Sequence, residues 1–260
     1  MSKVKAKKHL GQHFLTDKNI AGKIVDSLLD KTRLVLEIGP GMGVLTEFLY
    51  DRFGKDLYLT EIDTESVEYL KEHFPQLSQN ISETDFLKED LGRRFPEPFS
   101  IIGNFPYNIS SQIFFKILDN RDKVPQVVGM IQKEVAERIA TAPGSKTYGI
   151  LSVLLQAFYD IEYLFTVNEN VFSPPPKVKS AVIRLTRNNR EKLNCDEKLF
   201  FRVVKATFLH RRKTIRNTIK VIPHDIEATA GHEFMSKRPE QLSVEQFEEL
   251  TLLIQNNLKE

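Results

Sequence analysis

The apolar run Leu34-Val35-Leu36-Glu37-Ile38 leads directly into Gly39-Pro40-Gly41-Met42-Gly43, after which Val44, Leu45, Phe48 and Leu49 repeat at helical spacing. A short apolar run closed by glycine and followed by a 3.6-residue period reads as strand, tight turn, helix. The unit recurs: Leu57 to Ile62 reads as a strand, Glu65 to His73 as a helix, and further strands lie near Ile81 to Thr84 and Ser100 to Asn104. Strands that alternate with helices pair in parallel and carry helices on both faces of the sheet. The expected class is therefore α/β, built on a mostly parallel sheet.

Around this core the pattern extends in both directions. Ile20, Ile24, Val25, Leu28 and Leu29 predict a helix capped by Thr16 or Asp17 ahead of the first strand. Val127 to Ile131 is strand-like, Gln132 to Ala142 and Tyr148 to Phe158 are helical, and strands near Ile161 to Val167 and Ala181 to Thr186 bring the count to about seven. Ser173-Pro174-Pro175-Pro176 can be neither central strand nor helix interior and is expected as a rigid, exposed loop. Beyond Arg187 the strand signals stop. A polar stretch to Asp196 gives way to amphipathic helix at Leu199, Phe200, Val203, Val204 and Phe208, so the expected domains are 1–187 and a small helical 188–260.

Composition narrows the setting. With 260 residues, 41% of them hydrophobic, the chain can fill one large core and a small one. Cys195 is the only cysteine, which rules out an intrachain disulfide or a cysteine zinc cluster and fits a reducing cytoplasm. Lys3, Lys5, Lys7 and Lys8 are not followed by an apolar run of leader length, so neither export nor a membrane span is expected. The net charge of +2 decides nothing by itself. Its distribution does: Lys198, Arg202, Lys205, Arg211, Arg212, Lys213, Arg216 and Lys220 fall in one segment without an Asp or Glu, a pattern expected to meet phosphates. The histidines lack HExxH or other paired ligand spacing, and no metal is expected.

Four positions at strand ends carry the chemistry. Gly39 and Gly41 let a ligand approach the backbone near the positive end of the following helix. The spacing G-x-G-x-G with a proline differs from the G-x-G-x-x-G dinucleotide fingerprint and argues against hydride transfer. About 20 residues on, Glu61 ends the second strand, where a carboxylate can accept both hydroxyls of a ribose, which favours an adenosine-containing cofactor. Asp85 ends the third strand, in reach of an adenine amino group or acting simply as a cap. Asn104-Phe105-Pro106-Tyr107 ends the fourth and places an amide, a backbone carbonyl and an aromatic face within one turn. The N6 amine of adenine is a poor nucleophile because its lone pair is delocalised, and the Asn104 oxygen with the Phe105 carbonyl can take its hydrogens as nitrogen pyramidalises. Pro106 stiffens the turn, and Tyr107 can stack on an extruded base.

These residues are similar to those of a known family. With Gly11-Gln12-His13-Phe14-Leu15, Gln132-Lys133-Glu134-Val135-Ala136-Glu137-Arg138, Tyr148 to Val153, Val171 to Val178 and His210 to Asn217, nearly the whole chain resembles the bacterial small-subunit rRNA adenine dimethyltransferases whose loss gives kasugamycin resistance. The resemblance implies a Rossmann-like methyltransferase domain with a helical C-terminal domain. It implies dimethylation of two adjacent adenosines in a hairpin loop near the 3′ end of 16S rRNA, using S-adenosylmethionine, within an assembling small subunit. Transfer from a sulfonium needs no metal. By position, His13, Leu15, Gly39, Gly41, Glu61, Asp85 and Asn104 would contact the cofactor. Phe172 would be a second aromatic against the flipped adenine, with Lys177, Arg211, Arg212, Lys213 and Arg216 meeting RNA. His13 stands where the family usually has asparagine, and Phe105 where it has leucine. The related enzymes acting on large-subunit RNA share the Asn104 to Tyr107 motif but lack the Gln132 to Arg138 pattern. A noncatalytic assembly factor and a DNA adenine methyltransferase are the rival readings; the Asn104 motif weighs against the first and the C-terminal domain against the second. A monomer is expected.

Overall fold

A computed structural model describes residues 4–259, so Lys3 lies outside the described residues. The strands are β1 (Phe14–Leu15), β2 (Leu34–Ile38), β3 (Leu57–Glu61), β4 (Ile81–Glu83), β5 (Phe99–Asn104), β6 (Gln126–Gln132), β7 (Tyr159–Val167), β8 (Phe172–Ser173) and β9 (Ser180–Arg187). The helices are α1 (Lys18–Asp26), α2 (Val44–Phe53), α3 (Thr64–His73), α4 (Leu91–Arg94), α5 (Ser110–Asp119), α6 (Lys133–Ala140), α7 (Ile150–Gln156), α8 (Glu197–Leu209), α9 (Ile215–Thr218), α10 (Ile226–Thr229) and α11 (Val244–Gln255).

Seven strands form one sheet in the order β4-β3-β2-β5-β6-β9-β7. The pairs from β4 through β6 are parallel, and β9 runs antiparallel to β6. All five residues of β2 are buried, as expected of a central strand covered on both faces. Asp17 caps α1, its Oδ1 accepting from the Asn19 and Ile20 amides at 2.8 and 3.1 Å. Ala21, Ile24 and Val25 then bury one stripe of that helix in a cluster with Leu45 and Leu49 of α2 and with Val35, Leu57 and Leu59 of the sheet. The main strands and helices lie within a few residues of their expected ranges. The two-residue strands β1 and β8, which pair antiparallel as a separate sheet, carry no period that a sequence can reveal.

The chain divides into two compact units, Met1–Ala136 with Asp160–Arg187, and Glu137–Tyr159 with Asn188–Glu260. This corrects the expected division: one boundary falls at residues 187/188, but Glu137–Tyr159 groups with the C-terminal helices. The physical reason is that α7 buries Leu151, Val153, Leu154 and Leu155, more apolar surface than a sheet-covering stripe needs, and packs on α8 and α11. In this second unit Phe208 of α8 lies 5.8 Å, ring to ring, from Phe247 of α11. Ser243 and Gln246 form a capping box at the start of α11. Burial, reinforced by nearby Glu248, pushes the Cys195 thiol up to about 11, so almost no thiolate is present at neutral pH. Among the described residues no helix is long and apolar enough to cross a membrane.

Candidate active site

The sheet order turns back between β2 and β5, since β3 and β4 extend from one side of β2 and β6 from the other side of β5. Ligands of open α/β sheets bind beyond the carboxyl ends of the strands at such a switch point. The register Glu37↔Ile102 brings the end of β2 beside the end of β5, and with it Gly39 beside Asn104. Glu61 closes β3, the strand on the far side of β2. A cleft opens here, with Gly39, Gly41, Glu61, Asn104, Phe105, Pro106 and Tyr107 among its walls.

The glycine turn is held from beneath by Glu61. Its Oε2 accepts from the Gly41 amide at 3.0 Å, and its Oε1 accepts from the Ile62 and Asp63 amides at 2.9 and 3.0 Å. Burial raises the carboxyl above its usual range, and the three amides oppose that shift. Gly41 is required by packing as well as by backbone: its φ is +55°, and a Cβ there would stand 2.8 Å from the Phe14 ring. Below the turn lies Glu37, fully buried, which accepts from the Thr46 hydroxyl at 2.6 Å. Burial pushes this carboxyl up to about 8, with Glu61 adding to the effect.

Asn104 to Tyr107 form the opposite wall. The Asn104 Nδ2 donates to the His13 carbonyl at 2.9 Å, which directs Oδ1 away as an acceptor that nothing else among the described residues engages. The Phe105 amide donates to the Met130 carbonyl at 3.0 Å. Its ring is buried, edge-on to Phe114 at 5.9 Å, and packs so closely beneath Gly129 that a Cβ there would lie 2.7 Å from it. Phe105 thus contributes a structural ring in addition to the expected backbone carbonyl, a role whose signal is the glycine on the neighbouring strand. Tyr107 is fixed by a 2.5 Å hydrogen bond between its hydroxyl and that of Ser180, and its ring stacks on His13 at 5.4 Å. His13 in turn binds the Pro174 carbonyl through Nδ1 at 2.8 Å. Neither Ser180 nor this His13–Tyr107 stack was anticipated.

A second, larger cavity of about 470 Å³ adjoins the first, sharing Gly11, Gln12, His13 and Tyr107, and adding Lys8, Gln132, Pro174 to Val178. Lys177 is among its lining residues. Leu15 lies apart, in a smaller recess with Gly39, Pro40 and Asn104. Asp85 lines none of these spaces; its Oδ1 caps the following turn by accepting from the Leu87 amide at 2.9 Å. Phe172 pairs with Leu15 across β1 and β8 and is only 4% exposed, while alternation along β8 turns Ser173 outward.

The basic segment belongs to the second unit. Arg212, Lys213 and Arg216 are exposed, with Arg216 donating to the Ala230 carbonyl at 3.0 Å. Arg211 is half-buried, and its Nη2 is enclosed without a partner among the described residues. Among the described residues no group of three His, Cys, Asp or Glu side chains is arranged to hold a metal ion.

Residues 3–256 match the model of a family described as ribosomal RNA adenine dimethylase. The chain is 60% identical to ribosomal RNA small subunit methyltransferase A of Parabacteroides distasonis, over 100% of this chain and 97% of that one. It is likewise 60% identical to the protein of that name from Cytophaga hutchinsonii, over 98% and 99% of the two chains. Among solved structures it is similar to a dimethyladenosine transferase from Plasmodium falciparum, at a TM-score of 0.78 and 25% identity over 94% and 97%. The 23S rRNA methyltransferase ErmE superposes at a TM-score of 0.64, with 26% identity over 93% and 99%.

Proposed function

The chain belongs to the ribosomal RNA adenine dimethylase family, and from that premise we propose that it dimethylates N6 of two adjacent adenosines in a hairpin loop near the 3′ end of 16S rRNA. The methyl donor is S-adenosylmethionine, and the acceptor is the assembling small subunit in the cytoplasm, met by a monomer. The first compact unit carries the chemistry and the second grips RNA. The relatives named for the small subunit, aligned along their full length, favour this target over large-subunit RNA.

The observation that carries the reading is the orientation of Asn104. With Nδ2 committed to the His13 carbonyl, Oδ1 is left as an acceptor beside the Phe105 carbonyl. Two neutral acceptors aimed at one amino group suit N6 of adenine. They hold its hydrogens while the nitrogen gains sp³ character, an interaction stronger in the transition state than in the ground state. Their placement on a turn fixed by the Phe105 ring means that little reorganisation accompanies the reaction. Tyr107, anchored through Ser180, offers its ring as the stacking surface for the extruded base, worth roughly 1 to 3 kcal/mol.

The smaller cavity fits a nucleoside: it joins a buried carboxylate, backbone amides and apolar ring edges. Glu61 retains lone pairs for ribose hydroxyls after accepting its three amides. Gly39 and Gly41 keep side chains out of that space and His13 closes its N-terminal side, while Leu15, in the neighbouring recess, and Asp85, which lines neither space, are assigned to the cofactor by the family resemblance alone. Bound there, S-adenosylmethionine supplies an electrophilic methyl group on a sulfonium.

The test is transfer of radiolabelled methyl groups to small subunits that lack the modification, with large subunits and duplex DNA in parallel. Dimethyladenosine confined to small-subunit RNA is expected, and Asn104→Ala is expected to abolish it while cofactor binding remains detectable. Label on DNA or on large-subunit RNA reassigns the acceptor. Near-normal turnover by Asn104→Ala overturns the mechanism.

A further inference from the structure

The second methylation poses a problem that the first does not. After one transfer, N6 carries a single hydrogen, so only one of the two acceptors at Asn104 and Phe105 can still hold the amine. The base must then be kept in register by groups that read the ring rather than the amine. The larger cavity contains two neutral amides able to do so, Gln12 and Gln132.

Gln12 is already engaged at both ends. Its Oε1 accepts from the Lys7 amide at 2.8 Å, and its Nε2 donates toward Asp63 at 3.4 Å. Lys8 and Lys177 are cations suited to phosphate, and His13 is tied to the Pro174 carbonyl. Gln132 differs from all of these. It ends β6, half-buried, opposite Ser180 of β9, and among the described residues nothing hydrogen-bonds to its side-chain amide. Ser180 is also the residue that anchors the Tyr107 hydroxyl at 2.5 Å. One ladder pair therefore supplies both the tether of the stacking ring and an unengaged amide in the same cavity.

Resting on the acceptor-site reading above, we propose that Gln132 positions the acceptor adenine, its Nε2 donating to a ring nitrogen on the edge that carries N6. Glutamine is suited to such an edge because its amide lies in one plane with it. Neither N1 nor N7 changes its hydrogen count when N6 is methylated, so the contact is the same in both transfers. Gln132 thereby gives the adenine and N6-methyladenine forms one register, with Tyr107 supplying the stack and Asn104 the reacting geometry.

The experiment measures the rates of the first and second transfers separately, by mass spectrometry of monomethylated and dimethylated adenosine from unmodified small subunits. The wild type, Gln132→Leu and Gln132→Glu are compared, with cofactor affinity measured by equilibrium dialysis. Gln132→Glu keeps size and shape but loses the donor, so it controls for damage to the fold. Both variants are expected to slow both transfers by a similar factor, roughly tenfold for a neutral hydrogen bond whose partner is left unpaired, with cofactor affinity unchanged. A Gln132→Glu enzyme equal to wild type, a loss confined to one transfer, or a parallel loss of cofactor affinity overturns the proposal. Failure of the wild type to label small subunits is a different result and counts against the acceptor reading itself.

Discussion

Two carboxylates beneath the glycine turn are both buried, and burial raises both above the usual carboxylate range. Glu61 accepts three backbone amides, whereas Glu37 has one hydroxyl from Thr46 and is pushed up to about 8. Glu37 thus holds a proton at neutral pH. Below its unfolded value of 4.5 both states are protonated and its burial costs no ionisation. As the pH rises toward 8 the unfolded chain releases the proton while the folded chain keeps it, so stability is lost progressively across that window. Glu37→Gln still accepts from Thr46 and cannot ionise. The variant's melting temperature is expected to gain on the wild type steadily from about pH 5 to about pH 8, and a difference independent of pH sinks the assignment. None of this was legible in the sequence, where Glu37 is one letter in an apolar run. Asn104 to Tyr107 were legible because their roles depend on adjacency along the chain. The burial of Phe172 was not, because it depends on pairing with Leu15, far away in sequence.

At the level of elements, long periodic segments announced themselves and short ones did not. The alternation from Leu34 to Asn104 specified the parallel half of the sheet because apolar runs, glycine and helical period all agree there. Asp85 shows the limit: a carboxylate at a strand end serves a cap and a ligand equally well, and only the Leu87 contact reveals the cap. The edge at β4 illustrates a second unread device. Arg94 donates to the carbonyls of Leu59 and Asn80 at 3.1 and 2.8 Å and pairs with Glu89 at 2.5 Å, while Thr60 donates to the same carboxylate at 2.7 Å. This knot fastens the short β4 to β3 and fixes the segment that follows Asp85. Arg94→Met takes the cation from a largely buried carboxylate and one donor from each of two carbonyls, and is expected to cost about 3 kcal/mol in urea unfolding. Arg94→Lys is expected to recover only part of it, since one ammonium cannot reproduce the planar fork. A Met variant as stable as wild type would show that the knot is incidental.

For the whole molecule, chemistry and grip draw on different residues. The two cavities of the first unit are walled mainly by neutral and aromatic groups, with Lys8 and Lys177 the only lysines or arginines among their lining residues. The dense cationic segment lies in the second unit, and its value depends on which side chains remain exposed there. Arg212 and Lys213 are exposed in the loop after α8, while Arg211 is half-buried with an enclosed nitrogen. The sequence, which sees only eight like charges, could not rank them. Counterion release makes the ranking measurable: each phosphate contact contributes about one unit to the slope of log affinity against log salt. Replacing Arg212 and Lys213 together with alanine is expected to lower that slope by about two units for small-subunit binding, while methyl transfer at saturating subunit concentration stays near normal. Arg211→Ala is expected to change thermal stability more than the slope, because its guanidinium is partly withdrawn from solvent. If the slope instead tracks Arg211 and ignores the exposed pair, the segment serves the fold of the second unit, and affinity for RNA must be sought among the cations of the first.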